Sequence, residues 1–206
     1  MGIIIICNII NIGSDNMTYN ELLEILLSND VYESIKQNEK EIFSLIPELN
    51  DCKGFNQNNK WHIYDIYEHI LHVVKGVDAN LYLRLAALFH DMGKVLTYIQ
   101  DSNGVGHFYN HWNKSVEIFK KYSNNFGLSD EENTLIANLI FYHDVNIERM
   151  SKNEINDMIN NIGVSNIKLL FSLKRADLLA QSPEYHYLLE NINIQEHKMI
   201  ELSKNI

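Results

Sequence analysis

The chain carries nine histidines in 206 residues, and seven of them (His62, His69, His72, His90, His107, His111 and His143) fall between positions 62 and 143. Imidazole is the side chain that most often binds metals and moves protons near neutral pH. The central pair is His90-Asp91, in LAALFHDMGK. The apolar run before it predicts a buried helix end. An ionised Asp there is costly unless it is paired or bound to a cation. Imidazole and carboxylate together suit a divalent ion such as Mn, Fe, Ni, Co, Zn or Mg. On the dipeptide alone, a hydrogen-bonded helix cap is the simpler reading. Two further residues change the balance. His69 lies 21 positions upstream in YDIYEHILHVV, and Asp177 lies 86 positions after Asp91 in LLFSLKRADLLAQSP. A set of His69, His90, Asp91 and Asp177 drawn from three helices makes a metal pocket in a helical bundle plausible.

The elements that must position these residues are helices. Two Pro and nine Gly are too few for a fold built on many tight turns. Apolar spacing is helical almost throughout. It predicts helices over 18–27, 30–46, 66–77, 81–92, 108–124, 130–143, 153–162, 166–180 and 184–203. Pro47 reads as a stop, 48–63 as a loop, and 97–107 as a turn or short hairpin. Asp65 is a candidate cap, Ser129 with Glu132 a capping box, and Ser182 a cap with Pro183 at the first helical position. Gly93 reads as the residue that ends the helix carrying His90. The expected architecture is one all-α domain over 18–206, preceded by a leader at 1–17.

Composition narrows the function. Lys and Arg total 17 against 27 Asp and Glu, a net charge of −10. A surface this acidic argues against broad nucleic-acid contact. Cys7 and Cys52 form no CxxC, which excludes a disulfide scaffold or a thiolate zinc finger and points to a cytoplasmic protein. No apolar run approaches the roughly 20 residues of a membrane helix. The N-terminal MGIIIICNII has no Lys or Arg before its apolar run, so it is not read as a secretory signal; Met17 is a candidate natural start.

The set His69, His90-Asp91 and Asp177 resembles the HD superfamily of metal-dependent phosphohydrolases. GFNQNNKWHIYDIYEHILHVV, LRLAALFHDMGKVLTY, GVGHFYNHWNKSVEI and LKRADLLAQSP resemble the HD domain that follows the catalytic head of bacterial tRNA nucleotidyltransferases. The head is missing, with no Gly-Ser followed by an acidic-x-acidic pair, so nucleotide addition is not implied. The resemblance implies an HD-type helical bundle in which those four residues bind metal. In binuclear branches, added histidines bind a second ion, and His111 and His143 match their order. A second ion about 3.5–4 Å away would let Asp91 bridge both. Alternatively, His111 and His143 meet substrate phosphate directly, so one ion or two stays open. The resemblance also implies that Lys94 faces the phosphate.

The expected activity is hydrolysis of a phosphate monoester or diester in a nucleotide or other small phosphorylated substrate. Asp91 and Lys94 are the catalytic candidates, Asp91 as ligand and proton acceptor, with Asp144 a weaker base. Lys94, His107, His111 and Arg175 are the candidates for the phosphate, with orienting Asp177 the alternative for Arg175. A tRNA end is open by resemblance but not favoured by charge. The alternative is a non-catalytic regulatory module that binds metal and nucleotide. His72 reads as a packed helix residue, His62 as a pocket cap or a structural residue, and His186 and His197 as surface residues. The sequence does not give the oligomeric state.

Overall fold

The computed structural model describes residues 17–204, so the expected leader lies, except for Met17, outside the described residues. Among these residues the fold is all-α, apart from one two-stranded hairpin. Four short helices come first: α1 (Tyr19–Leu26), α2 (Val31–Gln37), α3 (Glu39–Leu45) and α4 (Pro47–Asp51). Then come α5 (Ile66–Gly76), α6 (Leu81–Phe89) and α7 (Lys94–Thr97). The hairpin pairs β1 (Ile99–Gln100) with β2 (Gly106–His107), Ile99 opposite His107. After it come α8 (His111–Tyr122), α9 (Asp130–Tyr142), α10 (Lys152–Ile162), α11 (Ile167–Leu179) and α12 (Leu189–Ser203).

Helices α5, α6, α9 and α11 form the centre. Helix α6 packs on α5 and α9, and α11 packs on α5, α6 and α9. Helix α8 lies against α9, and α12 against α11. Helix α6 is buried on every side from Leu83 to Phe89, which is why its sequence shows no polar stripe. Its buried charge, Arg84, donates Nε–H to the carbonyls of Val77 (3.2 Å) and Asp78 (3.1 Å) and NH1–H to that of Leu26 (3.0 Å). Asp65 caps α5 through the Glu68 amide, and Ser129 with Glu132 forms the predicted capping box on α9.

Four local expectations need correction. The predicted helix over 30–46 divides at Asn38, whose side chain donates to the Ser34 carbonyl at 2.8 Å and whose backbone leaves helical geometry. Pro47 starts α4 instead of opening a loop, because a missing N–H costs nothing at the first helical position. Ser182 makes no side-chain cap, and Pro183 opens a 3-10 segment, Pro183–Leu188, ahead of α12.

Gly93 is the fourth. Its φ is −66°, so it is not the left-handed stop expected. It is needed for close approach. A Cβ there would sit 2.2 Å from the His111 carbonyl oxygen and 2.5 Å from the Ser115 nitrogen. The Gly93 amide also donates to Ser115 Oγ at 2.9 Å. This glycine lets the first turn of α8 press against the turn that carries His90 and Asp91.

Candidate metal centre

Five helices bring their polar residues to one point. His69 comes from the middle of α5, His90 caps the C-terminal end of α6, and Asp177 comes from α11. Asp91 follows in the turn after α6, which brings its carboxylate between both groups of partners. His111 opens α8, behind Asn110 in left-handed geometry (φ 62°), and His143 caps the C-terminal end of α9. His69, His90, Asp91 and His143 are almost fully buried.

The ligand atoms form two sets that share Asp91. One set is His69, His90, Asp91 and Asp177, and the other is Asp91, His111 and His143; within each, the candidate ligand atoms all lie within 4.8 Å of one another. Asp91 Oδ2 faces the first set, 3.2 Å from His69 Nε2 and 3.2 Å from His90 Nε2. Asp91 Oδ1 faces the second, 3.2 Å from His111 Nε2 and 3.6 Å from His143 Nε2. Asp177 Oδ1 closes the first set at 3.0 Å from His69 Nε2 and 3.9 Å from His90 Nε2.

The far side of each imidazole fixes its orientation. Nδ1 of His90, His111 and His143 meets the carbonyls of Ala87 (2.8 Å), Phe108 (2.9 Å) and Ile140 (2.6 Å), and that of His69 meets Ala180 (3.4 Å). A carbonyl only accepts, so Nδ1 bears the hydrogen and Nε2 is left for the centre. His69 Nε2, His90 Nε2 and both Asp91 oxygens are buried without a hydrogen-bond partner. Native folds rarely leave four such atoms unpaired at one place. A divalent cation accepts lone pairs from all of them, so the donor set fits one.

The electrostatics agree with strong mutual attraction. Burial alone would raise the Asp91 carboxyl, but His90, Lys94, His111 and His143 outweigh it and hold it well below the usual carboxylate range. Burial likewise opposes charge on His69, yet Asp177 and Asp91 lift it to about 9. His143 is shifted down, chiefly by burial. Asp177 is also held far below its ordinary value, by His69 and His90 against burial.

Lys94 joins the centre from the start of α7. Its Nζ lies 2.7 Å from Asp91 Oδ2 and donates to Gln57 Oε1 at 2.9 Å. It also lies 3.4 Å from His62 Nε2. His62 packs edge-on against His69, and burial, with Lys94 beside it, pushes its ring down to about 2, so it is neutral.

Two expected phosphate contacts stand elsewhere. His107 lies on β2, paired with Asp101 at 3.1 Å and stacked on Tyr109. Arg175 points to α12, where NH1 donates to Glu196 Oε2 at 2.7 Å. The reason is geometric: residues two apart on a helix differ by about 200° around its axis, so Arg175 cannot share the face of Asp177. His72 stacks on Tyr64 and packs near Tyr32 away from the centre, and Asp144 is exposed at the edge of a neighbouring pocket.

Gln57 and Lys174 were not legible as site residues. Gln57 sits in a polar loop whose contacts depend on the hairpin. Lys174 is fully buried, its Nζ donating to the carbonyls of His143 (2.7 Å) and Val145 (2.8 Å), and burial pushes it down to about 8. Its one sequence signal is its place three residues before Asp177, on the same side of α11.

Comparison with known proteins agrees with this geometry. An A-adding tRNA nucleotidyltransferase of Deinococcus radiodurans is 35% identical over 79 residues, covering 35% of this chain and 18% of that protein. The chain thus spans less than a fifth of the length of this relative. The sequence profile of the HD domain matches residues 62–182, more than half of the chain and every residue of both ligand sets. With that span and that ligand arrangement together, the chain belongs to the HD domain family.

Proposed function

We propose that the chain is a metal-dependent phosphohydrolase acting on a nucleotide or another small phosphorylated substrate. The observation that carries this reading is the group of orphaned, buried ligand atoms around Asp91. His69, His90, Asp91 and Asp177 would hold one ion, and His111 and His143 would join Asp91 in holding a second. A divalent cation bound there would supply Lewis acidity to a phosphoryl oxygen and acidify water.

The chain's own residues do the rest. Asp91 stays ionised because His90, Lys94, His111 and His143 around it hold its carboxyl so low. The same property makes it a strong ligand and a weak base. Its negative charge keeps the Lys94 ammonium buried at the centre, steadied by Gln57. A fixed cation there would stabilise negative charge as it builds on phosphoryl oxygens, without reorganising during the reaction. His111 would serve as a ligand more readily than as a phosphate contact, because its Nε2 faces both Asp91 and His143. His107 and Arg175 have no part in this reading.

The test is metal analysis of the purified chain, with a phosphatase and phosphodiesterase screen in Mn²⁺, Ni²⁺, Co²⁺ and Mg²⁺. Metal uptake with phosphate release that is lost in Asp91→Ala supports the proposal. Metal and nucleotide binding without turnover under any ion would instead favour a regulatory module. No metal uptake at all would refute both.

A further inference from the structure

A pocket of about 410 Å³ opens beside the metal centre, lined in part by His62, His143 and Asp177. That volume lies in the range of small-molecule sites. Part of its wall comes from Leu188, Ile192 and Gln195. These three residues follow position 182, where the HD profile match ends. This chain's C-terminal segment therefore completes a pocket that also takes His143 and Asp177 from the matched domain.

Gln195 is the informative residue on that wall. It is only 5% exposed, and its Oε1 accepts the Ile147 N–H at 3.3 Å. That bond fixes the amide: the oxygen is committed, so the NH₂ group is presented as a donor. Nε2 finds no protein partner, although the residue is buried against the pocket. Nε2 itself is not sealed from solvent, so water fills the acceptor role until a ligand enters. A ligand that carries an acceptor replaces that water at this wall.

The remaining lining says what kind of acceptor. Trp61, Val145, Leu188 and Ile192 give apolar surface. Asp144 and Asp177 add negative charge, while the Lys174 amine is already engaged by two carbonyls. A second phosphate is poorly matched to that field. An uncharged flat group with acceptors on its edge matches it well.

We propose that this pocket seats a nucleobase, and that Gln195 Nε2 donates to a carbonyl or ring nitrogen on its edge. The inference rests on the phosphohydrolase reading for the phosphate, and it places substrate selection on α12. It is tested without turnover, by calorimetric titration of the whole chain with adenosine, guanosine, cytidine and uridine, with ribose as the control. At least one nucleoside is expected to bind saturably, and ribose is not. Gln195→Glu keeps an acceptor for Ile147 but removes the donor, and is expected to weaken binding about tenfold. Ile192→Trp fills the pocket and is expected to abolish binding. Circular dichroism checks folding, and whichever variant folds decides the matter. The proposal is overturned if no nucleoside binds the wild-type chain, or if the folded variants bind as wild type does. Phosphate release from non-nucleoside esters without nucleoside binding would sink the subsite and leave the phosphohydrolase reading standing. Nucleoside binding with no hydrolysis of any phosphate ester would do the reverse.

Discussion

Arg84 and Asp91 stand seven residues apart, one in α6 and one in the turn after it, and they are only 5% and 1% exposed. Both are charges that water would otherwise solvate. Arg84 has exchanged water for three backbone carbonyls, at 3.0 to 3.2 Å. Asp91 has not made an equivalent exchange. Its closest protein partner is the Lys94 ammonium, 2.7 Å from Oδ2; otherwise its oxygens face the unpartnered Nε2 atoms of His69 and His90 at 3.2 Å. The difference teaches that burial alone does not separate structural polar residues from functional ones. What separates them is whether the fold itself supplies the partner. Arg84 holds the end of α1 and the α5–α6 connection together. Asp91 and its neighbours are arranged for a group that the chain does not encode.

The comparison predicts opposite phenotypes for the two residues. Asp91→Ala removes the ligand common to both sets. It is expected to bring bound metal close to zero by mass spectrometry and to cut phosphate release at least about a thousandfold, roughly 4 kcal/mol of transition-state stabilisation. A variant that kept its full metal content would break the assignment. Arg84→Met keeps the aliphatic stem and strands three carbonyls. It is expected to cost about 3 kcal/mol of stability, seen as a melting temperature lower by roughly 6–12 °C. Metal content per folded chain should stay at the wild-type value. Loss of metal in folded Arg84→Met would show that the two regions are not separable.

The same contrast explains what could be read from sequence. His69, His90, Asp91 and Asp177 stood out because each interrupts an apolar run, where its burial needs a reason. The all-α class followed from apolar spacing that helices such as α1, α8 and α10 obey most clearly. Arg84 also interrupts an apolar run, yet nothing local reveals that its partners are the carbonyls of Leu26, Val77 and Asp78, one of them 58 positions away. Arg175 misled for a related reason: nearness in sequence to Asp177 is not nearness in space on a helix. Gly93 was legible as special but not for the right cause, since its close contact with His111 depends on how α8 docks. Gln195 could not be read at all, because its committed oxygen and free donor exist only once α12 meets the 143–147 turn.

His111→Ala sharpens the comparison inside the centre. It removes one nitrogen from the second set and leaves the first intact. The expected result is a fall from two ions per chain to one, with turnover lower by about a hundredfold, the upper end of what disturbing a ligand's support costs. Two ions retained in His111→Ala would show that the second set does not depend on this residue.

The smallest effect lies at the surface, where a charge has partners and also water. Glu48 on α4 accepts from Lys121 Nζ at 2.6 Å and from the Tyr122 hydroxyl. Burial alone would raise its carboxyl, but Lys121 and Tyr122 outweigh that and hold it below the ordinary 4.5. A group whose folded value is depressed stabilises the fold above its unfolded value. That contribution fades as pH falls from about 4.5 through the lower folded value. Glu48→Gln should therefore be less stable than wild type at pH 7 by under about 1 kcal/mol. Denaturant melts should show this gap closing in acid and shrinking in high salt. A gap that widened in acid would mean that the carboxylate is not the stabilising form, and that Glu48 belongs with the unsatisfied charges rather than with Arg84.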